Sequence, residues 1–395
     1  MATAAPTFDV VDLSSHSSAS AFPSEGLFAG AGTTHDGRVV FAPFIFNRVG
    51  VFDPKQMGGS VEDAFKLYDT TLDAATFNFY SAISVGDGRV VFPPYEAGSV
   101  GVFDGRDDTF TMYNQDSAGN PVTFATRATI GGGVASDGKV FMCPFRDEVM
   151  KTFDLNTNTV STSLGNAPNW VDYGWHGGSA TLDGRVVCAP FNANHVLVYS
   201  PATDSSAATT NTFAASVNNF VGATTLANGL VFMAPWEGSA VGIFDPSTDT
   251  EPFTTVDSAM FPSGDGTHFG GVITAPDGRV LFQDERSSRN TYLFDPTDDS
   301  LIPVDTSYPS TTTFNLWWGA SIVGNLVVFA PKNVAAVGIL KFPCGEDEHV
   351  VSGACVRCPS AQFNQAGDLP GGPDTACDAE CTCARLLNKV GLSYV

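Results

Sequence analysis

Short apolar runs recur along the chain, and each is bounded by turn residues. The run 39–43, VVFAP, follows an Asp-Gly-Arg turn, and the same phrase returns six more times with small changes. The turn residues of the seven copies are Gly37, Gly88, Gly138, Gly184, Gly229, Gly278 and, in place of glycine, Asn325. Successive copies are 45 to 51 residues apart. A period of this length indicates a propeller or a solenoid of repeated units.

The polar and apolar positions within a copy predict four short strands. In the fifth copy these are a small-residue strand at 220–226, an apolar strand at 230–235, a third strand at 240–246 and a more polar strand at 251–257. No segment sustains the 3.6-residue periodicity of an amphipathic helix. Short strands rich in Val, Phe and Thr, separated by turn residues, are typical of propeller blades. We therefore predict an all-β fold, a seven-bladed β-propeller with four-stranded blades.

The seventh copy lacks its fourth strand, because the chain enters a cysteine-rich tail after residues 336–340. The N-terminal segment 6–12, PTFDVVD, resembles the fourth strands DTFTMYN and EPFTTVD of other copies. We predict that it closes the ring as the outer strand of blade seven, so that no sheet edge is free to recruit other chains. The predicted propeller spans residues 3–342, followed by a cysteine-rich module at 344–383 and a C-terminal tail at 384–395.

The repeated Asp-Gly-Arg turn is interpreted as scaffold. Asp-Gly predicts a two-residue hairpin of type I′ between the first two strands of a blade. The basic residue that follows, such as Arg89, opens the second strand and is expected to face Asp104 at the end of the third strand. This register predicts an ion pair within most blades, worth about 0 to 1 kcal/mol if it is exposed.

Charge and hydropathy exclude several partners. The chain has 42 acidic and 19 basic residues, a net charge of −23. A nucleic-acid partner is not expected, because phosphate binding needs clustered Lys and Arg. No apolar run approaches the ~18 residues of a membrane helix, so membrane insertion is not expected. The acidic surface favours a soluble monomer, and the first 15 residues show no signal-peptide pattern.

Positions at which the copies agree are explained by blade geometry. Positions at which one copy departs from the others are candidates for function. Five second strands end in proline and an aromatic residue; we interpret these aromatics as packing between blades, with a sugar-stacking platform as the alternative. Blade six has Gln283, Asp284 and Glu285 instead. These positions lie opposite the tight hairpins, on the face that carries the long loops between blades. Binding residues concentrate on such loops.

We name this surface the long-loop face, and its candidate ligand-binding residues are Arg127, Arg146, Glu148, Trp170, His176, Glu237, Glu285 and Arg286. Trp175 and Trp318 are expected to fill an aromatic core position at the start of the innermost strands. If the protein is an enzyme, the candidate catalytic residues at the channel mouth are His176, His268 and Glu285. No cofactor is expected and no metal site is predicted, since the two histidines have no diagnostic spacing; the enzyme alternative allows a divalent metal.

The eight cysteines fall into two groups. Cys143 and Cys188 lie in second strands, in columns that point to opposite faces of a blade, so we expect buried free thiols. The six cysteines of the tail are candidates for disulfides, with their connectivity left open: Cys344, Cys355, Cys358, Cys377, Cys381 and Cys383. A small module without an apolar core needs such cross-links. Zinc is the alternative, because Cys355 and Cys358 form a CxxC pair.

Two resemblances follow from these motifs. The stretch CGEDEHVVSGACVRCPSAQFNQAGDLPGGPDTACDAEC resembles the ephrin-receptor-like cysteine-rich module of large extracellular proteins. The sevenfold DGRVVFAP and VGVFDP repeats resemble those of YVTN, gluconolactonase and kelch-like propellers. The first resemblance implies an extracellular or cell-surface protein, in which disulfides persist.

These observations favour an extracellular or surface-associated binding protein. Its long-loop face would hold a protein or glycan ligand without turnover. The alternative is a lactonase-like or lyase-like propeller enzyme, with or without a metal, whose site lies at the channel mouth. A propeller hosts both kinds of function, so the fold does not choose between them.

Overall fold

The computed structural model describes residues 5–74, 76–209, 219–236, 240–248, 253–257, 269–284, 290–308, 316–344, 348–351, 354–358 and 376. It contains seven four-stranded antiparallel sheets and one two-stranded sheet. The innermost strands of neighbouring sheets contact one another in an unbroken ring around a central channel. The protein is therefore a seven-bladed β-propeller, as the repeats predict.

The strand bounds follow the repeat period. The chain begins with β1 (Thr7–Asp12). Blade one contains β2 (Phe28–Thr33), β3 (Val39–Pro43), β4 (Arg48–Phe52) and β5 (Phe65–Asp69). Blade two contains β6 (Ile83–Ser84), β7 (Arg89–Phe92), β8 (Val100–Asp104) and β9 (Thr109–Tyr113). Blade three contains β10 (Thr129–Val134), β11 (Lys139–Pro144), β12 (Lys151–Asp154) and β13 (Thr159–Ser161).

The later blades repeat the arrangement. Blade four contains β14 (Trp175–Ala180), β15 (Val186–Pro190), β16 (Leu197–Ser200) and β17 (Ser205–Ala208). Blade five contains β18 (Phe220–Thr225), β19 (Val231–Pro235), β20 (Ala240–Phe244) and β21 (Phe253–Asp257). Blade six contains β22 (Phe269–Thr274), β23 (Val280–Asp284), β24 (Asn290–Asp295) and β25 (Ser300–Asp305). Blade seven takes β26 (Trp317–Val323), β27 (Leu326–Pro331) and β28 (Ala336–Lys341) from the end of the repeats.

Within the residues that the structure describes, helical structure is confined to single turns. The 3₁₀ turns are Ala19–Ala21 and Pro54–Gln56, and the α-helical turn is α1 (Val61–Ala64). Ser60 caps α1 by accepting a hydrogen bond from the Asp63 backbone N–H, as an N-cap serine is expected to do. None of the helices within these described residues is long and apolar enough to cross a membrane.

The N-terminal strand closes the ring, which confirms the predicted closure. Strand β1 pairs antiparallel with β28, from Thr7 opposite Lys341 to Asp12 opposite Ala336. The ring of Phe8 packs against those of Trp317 and Phe329, with centroids 6.0 and 6.1 Å apart. The first and last strands of the propeller therefore share one blade and one core.

The hairpins differ from the predicted two-residue turns. In blade one the Thr34 N–H donates to the Arg38 carbonyl and the Gly37 N–H donates to the Thr34 carbonyl, so three residues form the loop. Only the glycine takes a positive φ, 86° at Gly37. This is a type I turn followed by a left-handed residue, the usual three-residue hairpin. Blades three to six repeat both hydrogen bonds.

The predicted within-blade ion pairs are also wrong in their partners. Arg89 does lie opposite Asp104 in the strand register, but its guanidinium binds the turn carboxylate Asp87 at 2.6 Å. Asp104 instead accepts from the backbone N–H of Arg106 at 3.0 Å and pairs with that side chain. The nearest partners are two residues away along the chain, and such local contacts need less ordering of long side chains.

Close packing at the axis explains the glycines of the innermost strands. A Cβ placed on Gly319 would lie 2.6 Å from the Gly30 Cα, and one on Gly131 would lie 2.6 Å from the Gly177 Cα. These distances are shorter than any real contact of a Cβ atom. Only glycine lets the innermost strands of neighbouring blades approach this closely.

A disulfide joins blades three and four, which corrects the expectation of two free thiols. Cys143 of β11 and Cys188 of β15 are bonded, with their Cα atoms 5.7 Å apart, and neither side chain is exposed. Neighbouring blades face each other, so the front of one sheet meets the back of the next. Columns that point to opposite faces within a blade are therefore the ones that meet between blades.

The start of the tail is held to itself by a short sheet and disulfides. Strands β29 (Glu348–Val351) and β30 (Ala354–Arg357) form a two-stranded sheet. Cys344 is bonded to Cys355, and Cys358 is also in a disulfide. The CxxC pair therefore does not serve as a zinc site. The other three tail cysteines lie outside the described residues, and the module boundary at 344–383 stays a prediction.

Candidate functional site

The channel is lined by the innermost strands. Six of these strands begin opposite the last residue of their second strand, as Phe28 does opposite Pro43 and Trp317 opposite Pro331, and in blade two the isolated bridge between Phe79 and Pro94 is equivalent. The next residue along the chain lines the channel in blades two, three, four, six and seven. In blades one to seven these residues are Ala29, Tyr80, Ile130, His176, Val221, Gly270 and Trp318. Three of the seven, those of blades two, four and seven, carry large rings with a polar atom.

This alignment corrects the sequence register of one tryptophan. Trp317, rather than Trp318, fills the aromatic core position that Phe28 and Trp175 occupy. Its indole N–H donates to the Thr306 carbonyl at 3.1 Å. Trp175 is fully buried, as expected. Trp318 stands one residue further along and lines the channel.

Aromatic side chains form a continuous collar around the mouth. Its members after the second-strand prolines are Phe44, Tyr95, Phe145, Phe191 and Trp236, and Tyr80 and Trp318 complete it. Successive rings have centroids 5.0 to 6.4 Å apart, from Phe44 through Tyr80, Tyr95, Phe145, Phe191 and Trp236 to Trp318. The expected packing of these aromatics between blades is thus observed.

Tyr80 lies across the mouth of the channel. Its ring meets Trp318 of blade seven at 5.0 Å and His176 of blade four at 5.9 Å, both edge to face. Neither blade seven nor blade four is a neighbour of blade two in the ring. Tyr80 therefore bridges blades that are not adjacent, and it forms part of the roof of a cavity of about 150 Å³ that the innermost strands line.

Two buried polar nitrogens among the residues that line this cavity have no hydrogen-bond partner in the described part of the chain. They are Nδ1 of His176, which is 8% exposed, and Nε2 of Gln283, which is 3% exposed. The other polar atom of Gln283, Oε1, accepts from the Gly319 N–H at 2.8 Å. Leaving a buried polar group without a partner costs about 1 to 3 kcal/mol. An ordered water or a bound ligand would satisfy such groups.

The imidazole of His176 is electrically neutral at ordinary pH. Burial lowers its pKa to about 3, and the positive charge of Lys332 acts in the same direction. Its ring lies among Tyr80, Phe145 and Phe191, with centroids 5.6 to 5.9 Å away. A neutral imidazole offers one donor and one acceptor, which suits it to hydroxyl and amide groups.

Lys332 brings a cation into the collar. It follows Pro331, in the column where five other blades have an aromatic residue. Its Nζ lies 3.6 Å from the centroid of the Trp318 ring and within 6 Å of the rings of Phe44 and Tyr80. Such cation–π contacts stabilise a buried ammonium. The mouth therefore combines aromatic surface with the positive charge of Lys332.

A second cationic group lies on the rim between blades two and four. Arg146 stacks over the ring of Tyr173 at 5.1 Å, and Arg127 Nη1 donates to the Tyr173 hydroxyl at 3.4 Å. Tyr173 packs on Phe145 at 4.9 Å, which connects the rim to the collar. Burial raises the pKa of Tyr95 to about 12, and both guanidinium charges oppose that rise. We call Arg127, Arg146 and Tyr173 the rim cluster.

Carboxylates bind both arginines of the rim cluster, and two of its residues have a left-handed backbone conformation. Glu96 binds Arg127 at 3.4 Å and Asp172 binds Arg146 at 2.9 Å. Arg127 and Tyr173 have φ values of 61° and 59°, in the left-handed region. The equivalent residue of blade one is Gly26, whose carbonyl accepts the same hydrogen bond after the second-strand proline. Two blades thus place large side chains where glycine costs least.

The structure brings together only some of the predicted ligand-binding residues. Arg127, Arg146 and His176 lie along one path from rim to axis. Glu148 instead accepts from Asn166 at 2.6 Å, and Trp170 packs against the core between blades three and four. The remaining candidates lie outside the described residues: Glu237, His268, Glu285 and Arg286.

Tyr80 and Lys332 were not among the residues predicted from the sequence. Both are departures from their aligned columns, so the rule that departures mark function applies to them. For Tyr80 the rule was not applied because the innermost strands are short and variable, which hides their alignment until the strand pairing is known. Lys332 directly follows Pro331 of the repeated second strand, so its departure was visible in the sequence. In the described part of the chain, no group of three or more His, Cys, Asp or Glu gathers at one point.

The fold defines a class, the seven-bladed β-propellers, and the comparisons agree with it. No protein-family model and no curated protein sequence matches the chain. Among solved structures, a streptogramin B lyase is similar with a TM-score of 0.65 and 15% identity, over 86% of this chain and 98% of that one. A catalytically inactive virginiamycin B lyase from Staphylococcus aureus, with quinupristin, has a TM-score of 0.64 and 12% identity, over 85% and 99%.

A second kind of similar structure is an extracellular domain. The extracellular domain of a putative hybrid two component system from B. thetaiotaomicron is similar with a TM-score of 0.61 and 13% identity, over 92% of this chain and 48% of that one. The chain thus spans about half the length of that structure. At such identities the likeness concerns the fold alone, because propellers host both enzymes and binding proteins.

Proposed function

We propose that the protein is an extracellular or surface-associated binding protein that holds a glycan ligand at the long-loop mouth of its channel, without turnover. One observation carries the proposal. Nδ1 of His176, buried and without a hydrogen-bond partner among the described residues, lines the cavity that Tyr80 roofs. A ligand hydroxyl would satisfy it.

The surroundings of His176 support a saccharide over a flat protein surface. The mouth is concave and walled by aromatic rings, with a few polar groups that converge on it, which is the usual design of a small-ligand site. Sugars present an apolar face that packs on aromatic rings and hydroxyls that bond to neutral donors and acceptors. The aromatic collar and the two unpartnered nitrogens offer both.

The disulfides support the extracellular location. Cys143–Cys188 is a buried bond between two blades, and Cys344–Cys355 fixes the start of the tail. Disulfides of this structural kind form and persist in oxidising compartments and are rare in the cytosol. The extracellular domain among the similar structures is consistent with this location.

Glycan-array binding by the intact chain tests the proposal, with His176→Phe as the key variant. Phenylalanine keeps the ring packing and removes both nitrogens. His195→Phe is the matched control, because His195 is equally buried in the same blade and also has an unpartnered nitrogen among described residues, but does not line the cavity.

We expect a saturable signal from the wild type and from His195→Phe, and at least tenfold weaker binding by His176→Phe with an unchanged or higher melting temperature. Retention of binding by His176→Phe contradicts the proposed site. Release of a cleaved or eliminated glycan product, seen by mass spectrometry, contradicts the absence of turnover and supports the enzyme alternative.

A further inference from the structure

We infer, building on the proposed binding site, that the ligand is an acidic saccharide whose carboxylate is bound by Arg127 and Arg146 and whose sugar ring lies against Tyr173. The inference concerns the rim cluster, which the proposed function leaves without a role. It rests on charge, backbone conformation and position.

The charge distribution is the first argument. A chain with only 19 basic residues against 42 acidic ones brings two arginines to a single tyrosine, Arg146 over its ring and Arg127 at its hydroxyl. Both side chains remain more than a third exposed, at 39% and 38%. Arginine forks match carboxylate geometry and bind it through charge-assisted hydrogen bonds. Asp172 holds Arg146 through its Nε, so it fixes the guanidinium without using the terminal nitrogens in that contact.

The backbone is the second argument. Arg127 and Tyr173 both hold left-handed conformations where blade one uses Gly26. A non-glycine residue in such a conformation is less stable than glycine and is concentrated at ligand-binding and active sites. The two strained residues touch each other through the Arg127 guanidinium and the Tyr173 hydroxyl. The blade repeat does not require a large side chain at these positions, since blade one has Gly26 there.

Position is the third argument, and it favours a saccharide over a small free anion. From Tyr173 the path continues to Phe145 at 4.9 Å and from there to His176 at 5.6 Å. The unpartnered nitrogen at the axis and the guanidinium groups at the rim are therefore two steps apart along one aromatic surface. A carboxylated oligosaccharide engages both ends, whereas a single small anion engages one.

Solid-phase binding to carboxylated polysaccharides tests the inference. The probes are polygalacturonate, alginate and hyaluronan, each with its carboxyl-reduced, neutral counterpart prepared from the same polymer. We expect the intact protein to bind at least one carboxylated polymer. Its affinity for the neutral counterpart should be about tenfold lower or weaker still, because the carboxylate that accepts two charge-assisted hydrogen bonds is absent. Binding to none of the three carboxylated polymers overturns the inference.

The variant Arg127→Gly with Arg146→Gln separates the rim cluster from general stability. Glycine at position 127 restores the residue of blade one and relieves the left-handed strain, so we expect melting to be unchanged or higher. Binding of the carboxylated polymer should fall at least tenfold. Arg48→Gln is the control, since Arg48 forms an exposed ion pair with Asp69 at the start of a third strand in blade one.

The outcomes distinguish this inference from the proposed function. Suppose that the neutral polymers bind as tightly as the carboxylated ones and that His176→Phe abolishes this binding. The inference of an acidic ligand is then wrong, and the proposed site at the mouth is supported. If the carboxylated polymer binds and the rim variant retains full affinity, the carboxylate is bound elsewhere and the inference is wrong. If both variants lose binding of the carboxylated polymer only, one site extends from rim to axis as inferred.

Discussion

The ring of Tyr80 in blade two lies edge to face against the ring of His176 in blade four, with centroids 5.9 Å apart, although blade three stands between the two blades. The contact bridges two blades that are not adjacent in the ring. It joins two residues that line the cavity, a tyrosine and a neutral imidazole. A channel that served only as the centre of a scaffold would not need either ring, because Ala29 and Gly270 occupy the same column.

Replacing His176 by phenylalanine is expected to stabilise the protein, and more so in acid. The unfolded histidine has a pKa near 6.5, whereas burial holds the folded pKa near 3. Below pH 6.5 the unfolded state therefore binds the additional proton, and the wild type loses stability as pH falls. At pH 4.5, two units below the unfolded value, the loss approaches roughly 2 to 3 kcal/mol.

Urea unfolding of the wild type and His176→Phe at pH 7.5 and pH 4.5 measures this effect. The difference between the two proteins should widen in favour of the variant at pH 4.5. All other titrating groups are shared, so they cancel in the difference. An equal difference at both pH values means that His176 is protonated or exposed in the folded protein, against its assigned environment.

Crowding at the axis predicts unequal costs for two glycine substitutions. Gly319 and Gly278 have similar φ values, 80° and 87°. A Cβ on Gly319 meets the Gly30 backbone at 2.6 Å, while a Cβ on Gly278 meets nothing within 4 Å. Gly278→Ala should cost about 1 to 2 kcal/mol from its conformation alone, and Gly319→Ala about 1 to 3 kcal/mol more. Equal melting temperatures for the two variants would contradict the close approach of blades seven and one.

Closure of the ring by β1 predicts that Phe8 is important for stability. Phe8→Ala removes the ring that packs on Trp317 and Phe329, and we expect a loss of about 2 kcal/mol or more for a half-buried aromatic residue. Asp9→Asn is the control, because its ion pair with Lys341 is exposed and is worth less than about 1 kcal/mol. If Phe8→Ala melts like the control, the N-terminal strand is not part of the cooperative fold.

The disulfide between blades predicts that Cys143 and Cys188 resist alkylation in denatured, unreduced protein. Cys143→Ala introduces the residue that four other blades have in this column: Ala42, Ala189, Ala234 and Ala330. It should nevertheless cost about 2 to 4 kcal/mol, since the cross-link constrains the unfolded chain. Peptide mapping after alkylation locates the thiols. Alkylated Cys143 in the unreduced wild type would show that the bond is absent.

Sequence periodicity predicted the seven blades and the closing strand because both depend on local patterns. Strand length, turn residues and the missing fourth strand of blade seven are visible without knowing any contact. The prediction was wrong for the ion-pair partners, the turn type and the Cys143–Cys188 bond. The first two are decided by local geometry within a hairpin, where two carboxylates and two turn types compete and the residue pattern does not choose between them. The cysteine columns were compared within one blade, whereas the bond forms between two.

The candidate site was predictable in part for the same reason. The long loops between blades, with their ends, contain Arg127, Arg146 and His176. Binding residues concentrate in such loops, so the sequence made these three residues candidates. Tyr80 stands in a column whose register becomes clear only when Phe79 is paired with Pro94. The column of Lys332 is readable from the repeated second-strand proline, but its contact with the Trp318 ring is not. A ligand site at the axis of a repeat protein is assembled from distant copies, so no single motif contains it.

Hydrogen–deuterium exchange of the intact chain, with and without the array glycan that gives a saturable signal, tests the central claim most directly. If the ligand binds at the long-loop mouth, amides of residues 79–82, 175–178 and 317–320 should exchange more slowly in the complex, with the hairpins on the opposite face unchanged. Protection confined to those hairpins, for example residues 34–38 and 181–185, would contradict a site at the mouth.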